Sequence, residues 1–311
     1  MAANISSNEV QNRGKPVTKD RLVADLKNLG VRPGDLLNVK VSLKSVGYVE
    51  GGPNTLIDAL LEVVGPEGTL VSDSFVNVYP LPLSKKNAKK ISDRWTPSYA
   101  GAVANAMIKY PNAFRSLHPV QKFVAIGAMA EELTQNHTPD SYAYDVLRVM
   151  CETGGRNLKL GTDEKVVGVG TTHVAIGAQG FHQKRSRLGV NYRDEKGRIV
   201  TFERNWSGAC AKGLINFIPL YREAGAILSE GKVGCAESKI TDMRKTLDAE
   251  LEVLSRDPAF FFCSDPACAG CRLTWDFSTG SRSSVRYHQL IRRNPREYIK
   301  AVLRRMNRAR Q

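Results

Sequence analysis

One histidine of the chain follows a run of glycine and hydroxyl-bearing residues. His173 ends the segment GVGTTH, which spans residues 168–173. Histidine is the side chain whose unperturbed pKa lies close to neutrality, so His173 is a candidate general base that accepts a proton from an attacking nucleophile. A lone histidine beside a strand end can equally be a structural residue with satisfied hydrogen bonds. The spacing alone leaves both interpretations open.

A second segment has residue types suited to binding phosphate. Residues 39–52 read VKVSLKSVGYVEGG, so an apolar strand ends in hydroxyls and glycines just before a predicted helix. Backbone N–H groups and hydroxyls at a helix N-terminus bind phosphate readily. Similar loops occur in many α/β proteins, so further motifs are needed. The candidate binding turn consists of Ser42, Leu43, Lys44, Ser45, Val46 and Gly47.

Three cysteines are clustered late in the chain, with the spacing C-x4-C-x2-C. Cys263, Cys268 and Cys271 could bind zinc with a fourth ligand from elsewhere, and the spacing is also that of plant-type ferredoxins. The possible fourth ligands are Cys210, Cys235 and His288. Because the spacing identifies none of them, the prediction is no metal site and free structural thiols.

Cys210 has a second possible role. Lys212 follows it closely, and a nearby cation lowers the pKa of a thiol, so Cys210 could be an acyl-carrying nucleophile. The alternative is a small buried apolar residue.

The elements that must position these residues indicate an α/β protein. Apolar spacing, capping residues and turns predict a helix between Thr18 and Gly30, strands at Leu36–Val41 and Val166–Val169, and a helix over Ile240–Leu254. Residues 175–214 show no clear period. Without a repeat or linker, we expect one α/β domain over residues 17–281, after a flexible tail at 1–16 and before a basic helix at 282–311.

Charge and composition limit the class of protein. The chain has 45 Lys plus Arg against 31 Asp plus Glu, a formal charge of +14, and 42% hydrophobic residues, which excludes a disordered chain. No apolar run reaches the ~18–20 residues that cross a bilayer, and the polar N-terminus does not read as a secretory signal, so we expect a cytoplasmic protein.

The basic residues are concentrated at the C-terminus. Between Arg282 and Arg310 there are ten basic residues and one acid, Glu297. This segment is either a solvated basic face or an anion-binding surface for a partner such as tRNA or an acidic carrier protein.

Several separated motifs together carry a family resemblance. They are GPEGTLV at 65–71, TPSYAG at 96–101, RSLHP at 115–119 leading into AIG at 125–127, GVGTTH at 168–173 and GKVG at 231–234. In this order the chain resembles the aminoglycoside 3-N-acetyltransferase (antibiotic N-acetyltransferase) family over about residues 17–255. The resemblance implies a three-layer α/β/α sandwich around a mixed sheet, and transfer of an acetyl group from acetyl-CoA to an amine.

The resemblance also implies roles for individual residues. The 42–47 turn matches the loop that holds the CoA pantetheine and pyrophosphate, and Arg115 and His118 match the second wall of that site. His173 matches the proposed general base. Thr171 and Thr172, with nearby backbone N–H groups, are expected to stabilise the oxyanion.

This sequence departs from the family pattern at three positions. Lys40 replaces a usual histidine, Lys122 replaces a small hydroxyl residue, and Ile176 stands where an acid usually pairs with the base. Two interpretations stay open: Asp163 or Glu237 orients His173 instead, or the family's reaction is altered in this chain.

These departures bear on the acceptor. Lys40 and Asp73 are the predicted acceptor-binding residues. Because aminoglycosides are polycations, a +14 protein with Lys40 and Lys122 predicts an anionic or zwitterionic aminosugar. Two alternatives stay open: an acyl-tRNA or carrier-protein donor, and a non-catalytic nucleic-acid- or protein-binding module. A homodimer is compatible with the sequence.

Overall fold

The computed structural model describes residues 16–161, 170–183, 187–206, 208–265, 268–272, 275–276 and 299. The strands are β1 (Leu36–Val41), β2 (Thr69–Asp73), β3 (Tyr79–Pro80), β4 (Ile91–Ser92), β5 (Phe114–Arg115), β6 (Phe123–Gly127), β7 (Arg156–Leu160), β8 (His182–Gln183), β9 (Leu188–Arg193), β10 (Ile199–Glu203), β11 (Ile227–Val233), β12 (Ala236–Asp242) and β13 (Trp275–Asp276).

The α-helices are α1 (Lys19–Leu29), α2 (Leu43–Val46), α3 (Pro53–Val64), α4 (Lys85–Ala88), α5 (Ala102–Lys109), α6 (Ala130–Gln135), α7 (Asp145–Glu152), α8 (Thr171–Ala178), α9 (Ile218–Glu223), α10 (Met243–Arg256) and α11 (Ala269–Arg272). A 3-10 helix covers Ala211–Phe217. No helix in the described ranges is long and apolar enough to span a membrane.

The central sheet has seven strands in the order β11-β12-β7-β1-β2-β6-β5. β1 pairs in parallel with β2 and β7, and the outer pairs are antiparallel, so the sheet is mixed. The mixed sheet confirms the predicted fold class. A smaller sheet, which sequence periodicity missed, contains β3, β4, β9 and β10.

Helices cover both faces of the central sheet. α1, α3 and α5 pack on one face, and α6, α7, α8 and α10 pack on the other. Along β1, Leu37 and Val39 enter the first core while Leu36 enters the second. Because side chains alternate along a strand, Lys40 shares the face of Leu36, which is the face that carries α8.

Several predicted elements are confirmed and others change. Thr18 accepts from the Arg21 backbone N–H and begins α1, which ends at Gly30 in the left-handed conformation with φ 98°. The predicted helix over Ile240–Leu254 starts later, because Ile240 belongs to β12 and Asp242 caps α10 by accepting from the backbone N–H of Lys245.

Other predictions fall outside the described residues. These are the strand at Val166–Val169, nearly all of the tail at 1–16, and the basic helix at 282–311 apart from Ile299, which is helical and exposed.

Candidate functional site

An ion pair lies where β1 and β2 end. The Lys40 Nζ is 2.8 Å from Asp73 Oδ2, and both side chains are mostly buried. Because β1 and β2 are parallel, their carboxyl ends meet at one edge of the sheet, the usual place for an active site in α/β proteins. The other Asp73 oxygen, Oδ1, is buried and has no hydrogen-bond partner in the described ranges. The structure therefore brings together both residues predicted to bind the acceptor.

His173 is the third residue of α8, on the same face of the sheet. His173 is a residue of intermediate burial, and its imidazole stacks on Tyr144 with ring centroids 4.3 Å apart, while Trp206 packs edge-on at 6.5 Å. Burial, together with the charge of Lys40, lowers the pKa of His173 to about 3. The imidazole is therefore neutral near pH 7 and has a free lone pair, while its low pKa makes it a weaker proton acceptor than an exposed histidine.

No carboxylate orients this imidazole among the residues that the structure describes. His173 Nδ1 is buried there without a hydrogen-bond partner. Ile176 is fully buried in the second core, as its apolar side chain requires. Glu237 was a predicted substitute, but its side chain is 73% exposed and pairs with Lys232, so that prediction is wrong. Asp163 lies outside the described residues.

The loop before the 3-10 helix forms a wall against His173. Gly208 has φ +78°, and a Cβ placed on it would lie 3.5 Å from His173 Cε1 and 3.6 Å from the Tyr144 hydroxyl. The carbonyl oxygen of Trp206 accepts from Gln121 Nε2 at 2.6 Å, which fixes the loop. Sequence reasoning missed this wall, although a Trp-x-Gly segment with little periodicity is a signal for a shaped loop.

The hydroxyls of Thr171 and Thr172 face the core. Both donate to Glu250 Oε1, at 3.2 Å and 2.5 Å, and the Tyr221 hydroxyl donates to the same oxygen. Glu250 is fully buried, and burial raises its pKa to about 7. Since each hydroxyl has one proton to donate, these contacts hold α8 against α10 in the structure, and oxyanion stabilisation by Thr171, Thr172 and nearby backbone N–H groups stays a prediction.

The predicted cofactor turn directly follows β1. The hydroxyls of Ser42 and Ser45 lie 2.8 Å apart, and the Ser42 backbone N–H donates to the Leu160 carbonyl at the end of β7. Lys44 is exposed, while Val46 is buried. The turn is therefore at the same sheet edge as Lys40, and its hydroxyls and Lys44 are available to a phosphate-bearing ligand.

Arg115 lies beside the carboxyl end of β2, since its guanidinium donates to Ser74, the residue after Asp73. Its strand, β5, is three strands from β1, roughly 14 Å away. The buried Arg115 guanidinium donates to the carbonyls of Ser74, Arg94 and Thr96. His118 is fully buried, and its Nδ1 accepts from two backbone N–H groups. Both side chains are buried and hydrogen-bonded within the protein, and their role in the cofactor wall stays a prediction.

The side chain of Lys122 is buried as well. Its Nζ donates to the Ser116 carbonyl at 3.1 Å, and burial together with the charge of Arg115 lowers its pKa to about 7. A buried amine that is only partly charged contributes little to repelling a polycation. The electrostatic argument for an anionic or zwitterionic acceptor therefore depends on Lys40 and no longer on Lys122.

Comparison with known proteins identifies the family. The family model for aminoglycoside 3-N-acetyltransferases matches residues 39–255, more than half of the chain. The chain belongs to this family. Aminoglycoside N(3)-acetyltransferase VII from Streptomyces paromomycinus is 31% identical over 268 residues, 75% of this chain and 90% of the relative. The corresponding enzyme VIII from Streptomyces fradiae is 36% identical over 167 residues, 49% of this chain and 58% of the relative.

Solved structures of family members have the same fold. A variant of AAC(3)-IVa in complex with a gentamicin superimposes with a TM-score of 0.70 at 27% identity, covering 84% of this chain and 97% of that one. AAC-VIa bound to sisomicin gives a TM-score of 0.65 at 26% identity, covering 78% and 98%. The predicted family, fold, N-acetyltransferase class and acetyl-CoA co-substrate are therefore confirmed.

Proposed function

We propose that this chain transfers the acetyl group of acetyl-CoA to a primary amine of an aminosugar, with His173 as the general base. One observation carries the proposal. The neutral imidazole of His173 and the Lys40–Asp73 pair lie at one sheet edge, where the 42–47 turn also begins.

The chemistry needs three contributions from the chain. The 42–47 turn holds the pantetheine and pyrophosphate, and Lys44 is exposed there to meet phosphate charge. Asp73 Oδ1, which lacks a partner in the described residues, accepts a hydrogen bond from the acceptor. His173 takes the proton that the attacking amine loses. The new C–N bond forms as the C–S bond breaks, and the proton passes to the departing CoA thiolate.

The charge of the acceptor follows from what surrounds His173. Burial and, to a smaller extent, the charge of Lys40 lower the pKa of His173. Arg204 is a second positive charge near Tyr144, the ring that stacks on His173. With a formal charge of +14 on the whole chain, this environment favours an anionic or zwitterionic aminosugar over a polycation.

The names of the relatives favour a second acceptor, an aminoglycoside. Measuring kcat/KM for a UDP- or dTDP-linked aminosugar and for kanamycin, with acetyl-CoA fixed and CoA release followed by thiol titration, separates the two. We expect the nucleotide-linked sugar to be preferred. Preference for kanamycin would assign the aminoglycoside instead.

The alternatives of a tRNA or carrier-protein donor and of a binding module rest on residues 282–311, which lie outside the described ranges except for Ile299. Deleting these residues and measuring turnover with acetyl-CoA tests them. Unchanged turnover supports free acetyl-CoA as the donor.

A further inference from the structure

Four cysteine side chains, three from residues 263–271 and one from position 210, meet outside the site of His173. The Sγ atoms of Cys210, Cys263, Cys268 and Cys271 all lie within 4.8 Å of one another. Two of these separations are 3.6 Å, between Cys210 and Cys268, and 3.7 Å, between Cys263 and Cys271.

These separations match the geometry of one tetrahedral ion. Four sulfur ligands at ~2.3 Å from zinc lie about 3.8 Å apart at the tetrahedral angle. The ligands of an iron–sulfur cluster bind different iron atoms and are spread more widely. Cys210 and Cys268 are also only partly buried, which is unlike thiols that simply fill a hydrophobic core.

The backbone around the cluster supports ligation. The Cys263 N–H donates to Cys271 Sγ at 3.3 Å, and a backbone N–H directed at a ligand sulfur stabilises its thiolate. The Cys271 N–H donates to the Cys268 carbonyl, so the two residues lie on one turn. Gly270 stands against Cys210: a Cβ there would be 3.7 Å from the Cys210 Cβ.

We propose that Cys210, Cys263, Cys268 and Cys271 bind one structural zinc ion. The set has no open position for a substrate, because all four ligands come from the protein. Binding forms four Zn–S bonds and releases the thiol protons to solvent, with no change in oxidation state. This assignment replaces the predicted free thiols, and it gives Cys210 a ligand role in place of the nucleophile considered from sequence.

The ion would join the segment of Cys263 to the wall of the acetyltransferase site. Cys210 follows the loop that carries Trp206 and Gly208. Trp206 packs edge-on against Trp275 at 5.3 Å, and Trp275 packs against Phe261 at 4.8 Å. Zinc and these aromatic contacts therefore hold the same loop. This consequence, unlike the metal site itself, rests on the proposed function.

Elemental analysis of the purified full chain, expressed with zinc in the medium, tests the metal site. We expect about one zinc ion per chain, and loss of most of it in Cys210→Ser and Cys268→Ser. Cys235→Ser is the matched control, since Cys235 is exposed and outside the cluster, and it should keep its zinc.

A metal-free wild-type chain with titratable thiols, a chain with disulfides in its mass spectrum, or one that binds iron would each overturn the proposal. Because the zinc content of the wild-type chain is decisive by itself, variants that fail to fold do not weaken the test. Zinc content is also independent of turnover, so an inactive chain that binds zinc contradicts only the proposed function.

Discussion

Lys40 and Asp73 form a 2.8 Å ion pair across two parallel strands, beside the helix that carries His173. The pair places a cation close to the imidazole and leaves the second Asp73 oxygen without a partner among the described residues. The charge at position 40 therefore adjusts the basicity of His173.

Replacing Lys40 should change the pH dependence of turnover. In Lys40→Gln the imidazolium loses a neighbouring positive charge, and Asp73 loses its counter-ion, so the pKa of His173 rises from about 3. The base is inactive when protonated, so the acid limb of the kcat/KM profile moves to higher pH. Lys27→Gln, an exposed residue of α1, is the control and should not move it. If the kcat/KM profile of Lys40→Gln is not shifted, the charge of Lys40 does not affect the basicity of His173.

Gly208 should be required for full activity, because a side chain at this position would contact His173 as well as strain the backbone. Gly208→Ala puts a Cβ 3.5 Å from His173 Cε1 at φ +78°. Gly197 has φ +73° with nothing within 4 Å, so Gly197→Ala shares the backbone strain of about 1–2 kcal/mol without the contact. We expect both variants to lose similar stability by urea unfolding, and only Gly208→Ala to lose kcat. Equal kcat values in the two variants would contradict the claim that Gly208 forms a wall against His173.

Glu250 should make stability fall as pH rises. Its folded pKa of about 7 lies above its ordinary 4.5, so the folded state holds the proton more tightly. The stabilisation is complete below about pH 4.5 and is lost by pH 7, roughly 3 kcal/mol in all. The difference in unfolding free energy between the wild-type chain and Glu250→Gln should change by this amount between the two pH values, because groups common to both chains, such as His173, cancel in the difference. Glu252→Gln, an exposed residue of the same helix, should behave like wild type.

Lys44 should contribute to binding the donor. Reversing its charge in Lys44→Glu places an anion where the CoA phosphates are expected, so the Kd for acetyl-CoA should rise several-fold and depend less steeply on salt. Calorimetry with Lys27→Glu as the control checks this. An unchanged Kd would remove Lys44 from the cofactor site.

How far the sequence predicts the fold depends on whether local patterns suffice. β1 is predicted to the residue because Leu36–Val41 is a continuous run suited to a buried strand. The start of α10 is misplaced because Ile240 fits both a strand and a helical period, and only the cap at Asp242 decides.

The candidate site also contains some residues that local patterns predict and others that only folding brings together. His173, Lys40 and Asp73 are found from residue type and family motif, and the sheet brings them together. His118 belongs to a matching motif as well, but the motif does not show that its side chain is fully buried. Cys210 is among several possible fourth ligands in the sequence, and only folding brings its sulfur to the other three.

The central claim concerns one imidazole, and the kinetics of His173→Ala test it most directly. With acetyl-CoA and the preferred aminosugar, we predict that kcat falls by ~10²–10⁴-fold while the Kd for acetyl-CoA, measured by calorimetry, is unchanged. A His173→Ala variant that turns over at the wild-type rate would contradict the account.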